Sequence, residues 1–90
     1  RGELQTTVDA PLERTWAASQ KALTDLQMPV TDQDKDGLSG KLTARAAGDK
    51  KVVVRVKKVT STATELGIRI GTWGDETKSH EILEAIKRRL

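Results

Sequence analysis

Val52-Val53-Val54-Arg55-Val56-Lys57, the turn at Thr60-Ser61-Thr62, and Leu66-Gly67-Ile68-Arg69-Ile70 decide how this chain folds. Val52, Val54 and Val56 alternate with Val53, Arg55 and Lys57, and Leu66, Ile68 and Ile70 alternate with Gly67 and Arg69. A period of two places one set of each run on a covered sheet face and the other in water. A slip of one residue would turn a whole strand inside out, so the apolar sets restrict the register. Val54 is expected opposite Ile68 and Val56 opposite Leu66. Lys57 then lies across from Glu65 on the other face, a favourable cross-strand pair.

The same parity reads upstream through Leu38, Leu42 and Ala44, with a turn at Gly48-Asp49-Lys50. That turn predicts Ala44 opposite Val54 and Leu42 opposite Val56. At the start of the chain, Leu4, Thr6 and Val8 alternate with Gln5 and Thr7, the pattern of a short strand. A helix is predicted from Pro11, because proline suits a first helical position and Glu13 suits the positive end of the helix dipole. Leu12, Trp16, Ser19, Leu23 and Leu26 form its apolar stripe, and Pro29 ends it. Val30-Thr31 reads as a short extended piece before the polar stretch 32–37. After Gly71-Thr72-Trp73-Gly74, Asp75 is the expected N-cap of a second helix with the stripe Ser79, Ile82, Leu83, Ile86 and Leu90. The fold class is therefore α+β: an antiparallel sheet of four to five strands with two helices on one face, in the order β-α-(β)-β-β-β-α. Ninety residues make one domain.

Composition narrows the function. The chain has no cysteine, which removes disulfides, thiolate nucleophiles and thiolate metal sites. The single histidine, His80, leaves no His-paired zinc site and no Ser-His-Asp set, and it is given no role. The reading is of a domain that is not an enzyme and needs no cofactor. Trp16 and Trp73 are the only aromatic residues, so the core is aliphatic. No apolar run is long enough to span a bilayer. The sequence opens at Arg1 with no Met or apolar leader, and the expectation is a trimmed fragment with any targeting signal upstream.

Three features are candidates for function. Asp32-Gln33-Asp34-Lys35-Asp36-Gly37 matches the opening of a calcium loop, in which alternate carboxylates converge on the ion. Thr43 stands where the bidentate glutamate belongs, so Asp32, Asp34 and Asp36 read as a solvated acidic turn, with a calcium-stabilised domain the minor alternative. The second feature is the sheet face left uncovered, where Lys41, Arg45, Arg55, Lys57 and Arg69 gather against one acid, Glu65, with Val53 as an apolar member. Sixteen basic against thirteen acidic residues give a net charge of +3. Concentrated on one face, that excess can attract phosphate-bearing partners, whether nucleic acid or anionic headgroups. Against nucleic acid stands the lack of any aromatic stacking platform on the sheet. The plainer reading of the basic residues is a set of solubilising stems over an open sheet. Third is Trp73, read first as a plug at one end of the core and alternatively as a partner anchor. Trp16, on the helical stripe, is a core anchor.

The run Ile68-Arg69-Ile70-Gly71-Thr72-Trp73-Gly74-Asp75 carries a likeness, together with Thr7-Val8-Asp9-Ala10-Pro11 leading into Trp16, Lys41-Leu42-Thr43-Ala44-Arg45 and Val54-Arg55-Val56-Lys57. Over nearly its whole length the chain resembles a family of small bacterial lipoproteins known as domain of unknown function 3568. Trp73 stands where that family would lead one to expect Phe. The resemblance implies export, a lipid anchor attached upstream, and residence in the cell envelope on the periplasmic side. More distantly, the helix followed by Val30-Thr31-Asp32-Gln33-Asp34-Lys35 and Gly40 is similar to the helix-grip modules of the barrel-assembly lipoprotein BamC. That likeness implies an interaction module on an envelope complex; taken with the basic sheet face, the expected partner is an envelope protein or an anionic envelope component.

Overall fold

The computed structural model describes residues 2–90. The first strand, β1 (Leu4–Val8), leads into helix α1 (Leu12–Asp25). Four strands follow, β2 (Val30–Lys35), β3 (Ser39–Ala46), β4 (Lys50–Thr60) and β5 (Ala63–Ile70), and helix α2 (Glu76–Arg89) closes the fold. All five strands form one antiparallel sheet in the order β1-β5-β4-β3-β2. The α+β class and the element order match the sequence reading, and the optional strand is real.

The alternation sorts the chain as expected. Leu42, Ala44, Val52, Val54, Val56, Leu66, Ile68 and Ile70 are all buried, and they pack in one cluster with Leu12, Ala18, Ala22 and Leu23 of α1 and Ile82, Leu83, Ala85 and Ile86 of α2. Both helices thus cover one face of the sheet. Trp16 and Leu26 are only partly buried against this cluster, while Thr15, Ala18 and Ala22 widen the α1 stripe.

Val54 faces Ile68, Val56 faces Leu66 and Lys57 faces Glu65, as the sequence predicts. A bulge at Val59 adds one residue to β4, so Thr60 meets Ala63 across the tight turn Ser61-Thr62. The first hairpin differs from expectation by two residues. Leu42 pairs with Val54 and Ala44 with Val52. The reason is the turn: it occupies Ala47–Asp49, with Gly48 at φ 76° and Asp49 at φ 58°, one residue earlier than predicted. Three-residue hairpin turns place left-handed residues late in the loop, and Gly48-Asp49 satisfies this only in the earlier position. A shift of two keeps every side chain on its face, so parity survives.

Four local readings are corrected. Leu38 lies outside β3 and is 69% exposed in the turn between β2 and β3, its N–H donating to Asp36 Oδ1 and its carbonyl accepting from Lys58 N. The extended piece at Val30-Thr31 continues through Lys35 as an edge strand. Helix α1 ends at Asp25, ahead of Pro29, because Gln27 adopts φ 57° and turns the chain. Gln27 N donates to Thr24 O and Met28 N to Leu23 O, the two reversed bonds of a Schellman cap. Pro11 is the N-cap residue of α1, one position before the helix.

The Trp73 pole of the open sheet face

The register determines what the uncovered face carries. Lys41 and Arg55 stand opposite one another, Arg45 opposite Lys51, Arg69 opposite Val53, and Lys57 opposite Glu65. All five predicted basic residues therefore share the face away from the helices. The face is less uniformly basic than its sequence reading. Asp32 and Asp34 lie on it too, with Asp34 directly across from Lys41. Glu3 reaches over Gly67, where a Cβ would come within 2.5 Å of Glu3 Oε2, and its carboxylate lies 4.0 Å from Arg55 Nε. Lys41, Arg55 and Lys57 are thus each matched by a carboxylate neighbour.

The unmatched charge collects at one end. Lys50 and Lys51 have no acidic group within ion-pairing distance among the described residues, and Arg45 makes only a long contact of 3.9 Å with Asp49. Arg69 donates from Nε to Gly71 O at 3.4 Å and from Nη2 to Thr72 O. These bonds tie the Arg69 guanidinium to the loop that carries Trp73. Arg45, Lys50, Lys51, Arg55 and Arg69 line one shallow depression, open to solvent, that also touches Trp73, against only Asp49 and Asp75.

Trp73 is the correction of most consequence for function. It does not plug the core: 90% of its surface is exposed. The loop that carries it is nonetheless held in place. Gly71 sits at φ 72° and donates to Lys51 O at 2.9 Å, which joins the loop to β4. Gly74, at φ 84°, lies against the backbone of Gly2, and a Cβ on Gly2 would meet Trp73 O at 2.7 Å. Asp75 then caps α2 by accepting from Lys78 N at 3.0 Å. With glycine at both ends, the loop turns too sharply to fold an indole back beneath the sheet. The pair of flanking glycines was the sequence signal for this.

Asp32, Asp34 and Asp36 do not converge as the opening of a calcium loop would require. Asp32 and Asp34 are strand residues, paired against Thr43 and Lys41. The Asp36 carboxylate accepts from Leu38 N at 2.8 Å and Ser39 N at 3.0 Å, and these two bonds hold its pKa below the usual carboxylate range. Among the described residues, no group of three or more His, Cys, Asp or Glu is placed to hold a metal ion. His80 is exposed on α2 beside Glu81 and Glu84.

The fold and surface define a two-layer α+β domain with one bare sheet face, cationic at the pole where a single indole projects. The family model described as protein of unknown function (DUF3568) matches residues 1–89, and the chain belongs to that family. No curated protein matches the sequence.

Proposed function

We propose that this domain is a non-enzymatic interaction module of the cell envelope, and that it engages an anionic partner through the pole formed by Trp73, Arg45, Lys51 and Arg69. The single observation that carries this reading is the exposed, pinned Trp73 beside Lys50 and Lys51, which have no acidic group within ion-pairing distance among the described residues. An indole held in water by a rigid loop exposes apolar surface that a bound partner would remove from water. Lys41, Arg55 and Lys57 contribute less, since each already has a carboxylate neighbour. Export, an upstream lipid anchor and the likeness to BamC modules belong to the same proposal. They rest on the resemblance in the runs quoted above, and membership of the family is consistent with them.

Retention on immobilised heparin tests the anionic-partner reading. Arg45→Glu with Lys51→Glu should elute at clearly lower salt than Lys78→Glu with Arg88→Glu, which changes net charge equally on α2. Equal elution of the two double variants would remove the Trp73 pole from the account. Fractionation of cells making the full-length precursor tests location, and recovery in the cytosol would end the envelope assignment.

A further inference from the structure

We propose that the anionic partner is a lipid bilayer surface, with Trp73 as the side chain that enters it; this rests on the anionic-partner reading above. Three features favour a bilayer over other polyanions. The first is the character of the anchor. Trp73 stands alone at a loop tip, flanked by Thr72 and Gly74, with Val53 the only aliphatic side chain of the open face beside it. A protein hot spot needs a surrounding apolar patch to exclude water, and a single-strand binder needs several stacked rings across the sheet. Neither is present among the described residues. An indole at an aqueous boundary with its N–H free to hydrogen-bond is the arrangement that membrane interfaces favour.

The second feature is the placement of charge around the anchor. Arg45, Lys50, Lys51 and Arg69 surround the depression beside Trp73. A buried indole would bring them near headgroup phosphates together. Long basic side chains reach such phosphates while their stems stay at the boundary. Of the carboxylates on the open face, Asp32 and Asp34 lie on the edge strand β2, separated from β5 by β3 and β4, and Glu3 and Glu65 neighbour Arg55 and Lys57; only Asp49 and Asp75 line the depression itself.

The third is preorganisation. Bonds from Arg69, from Gly71 to Lys51 O, and the Gly2 contact at Gly74 hold the loop before any partner arrives. Insertion therefore loses little conformational freedom, and a single ring can contribute measurably.

The experiment is co-sedimentation of the 90-residue domain with vesicles of phosphatidylcholine alone or mixed with phosphatidylglycerol, read alongside tryptophan emission. Binding is expected only to the anionic vesicles, with emission shifted to the blue. Trp73→Ala should lower the partition coefficient roughly tenfold and abolish the shift, since Trp16 stays in the fold. Arg45→Glu with Lys51→Glu should lower it by at least about fivefold for each reversed charge. Unchanged far-UV circular dichroism will confirm that these exposed substitutions leave the fold intact. If heparin retains the domain through the same residues but vesicles do not bind, the bilayer assignment fails and the anionic-partner reading stands. If neither binds, both fail. Vesicle binding that Trp73→Ala leaves unchanged, or tighter binding of a short oligonucleotide that Trp73→Ala weakens, overturns the bilayer proposal.

Discussion

The indole of Trp16 lies directly on the backbone of Gly40: a Cβ at that glycine would sit 2.5 Å from Cζ3 and 2.8 Å from Cε3 of the ring. Gly40 points toward the helices, opposite Val56, and the Lys35 stem closes the same space with Cγ at 3.2 Å. Helix α1 can approach β3 only because this position lacks a side chain. Gly40→Ala should therefore cost about 1–3 kcal/mol by forcing a rigid ring to move. Gly67→Ala is the comparison. There the new methyl meets only the flexible carboxylate of Glu3, and stability should stay within about 0.5 kcal/mol. Urea unfolding of both variants checks the contrast, and equal losses would contradict it.

Gln27 terminates α1 in the left-handed region, where a side chain is disfavoured and glycine is not. Gln27→Gly should stabilise the domain by about 0.5–1 kcal/mol while leaving the Schellman bonds in place. A lower melting temperature for this variant would show that the Gln27 side chain contributes something its exposed position does not suggest.

Two buried hydroxyls predict opposite outcomes. Thr64 Oγ1 donates to Ala10 O at 2.8 Å, linking β5 to the junction between β1 and α1. Thr64→Val should cost about 1–2 kcal/mol by weakening the pairing of a buried carbonyl. Ser79 Oγ is buried in α2 and has no hydrogen-bond partner among the described residues. Ser79→Ala should stabilise by about 1 kcal/mol, since it removes that group and improves helix propensity. Calorimetric melting of the two variants reads both signs.

Acid should weaken the fold through Asp25 and Asp36. The Asp25 carboxylate accepts two bonds from Arg89, at 2.8 and 2.7 Å, and these bonds hold its pKa below the ordinary value. Asp36 is lowered by the N–H groups of Leu38 and Ser39. A depressed carboxylate adds stability above its unfolded pKa of ~3.9, and that stability disappears as pH falls through the folded value. Urea midpoints measured downward from neutral pH should drop below about pH 4. Asp25→Asn should show a smaller drop, and an identical acid limb would remove this pair from the account.

Where aliphatics alternate, the sequence specified the fold closely. Val54, Val56, Leu66 and Ile68 could reach the core only from one face, and that settled the second hairpin. The first hairpin was legible in parity alone, because pairing Ala44 with Val52 or with Val54 buries the same side chains. Backbone torsions at Gly48 and Asp49 decided between them, and torsions leave no hydrophobic signature. Strand β2 was mostly hidden for a related reason. Its helix-side positions are Gln33, which is exposed and bonds Gln20 at 3.0 Å, and the half-buried Lys35, whose ammonium meets Glu13. Polar side chains that cover a core with their stems give no apolar period to read. The shared face of the five basic residues was visible. The carboxylates that temper it were not, since Glu3 acts through Gly67 and Asp34 through the part of β2 that runs beyond the expected Val30-Thr31. Trp73 went the other way because burial is the common fate of tryptophan, and here the glycines on either side prevail.

The backbone contact between Gly2 and Gly74 fastens the approach to β1 onto the loop ahead of α2. The projecting indole and the entry to the sheet therefore share one corner, and a load applied to either is felt by both.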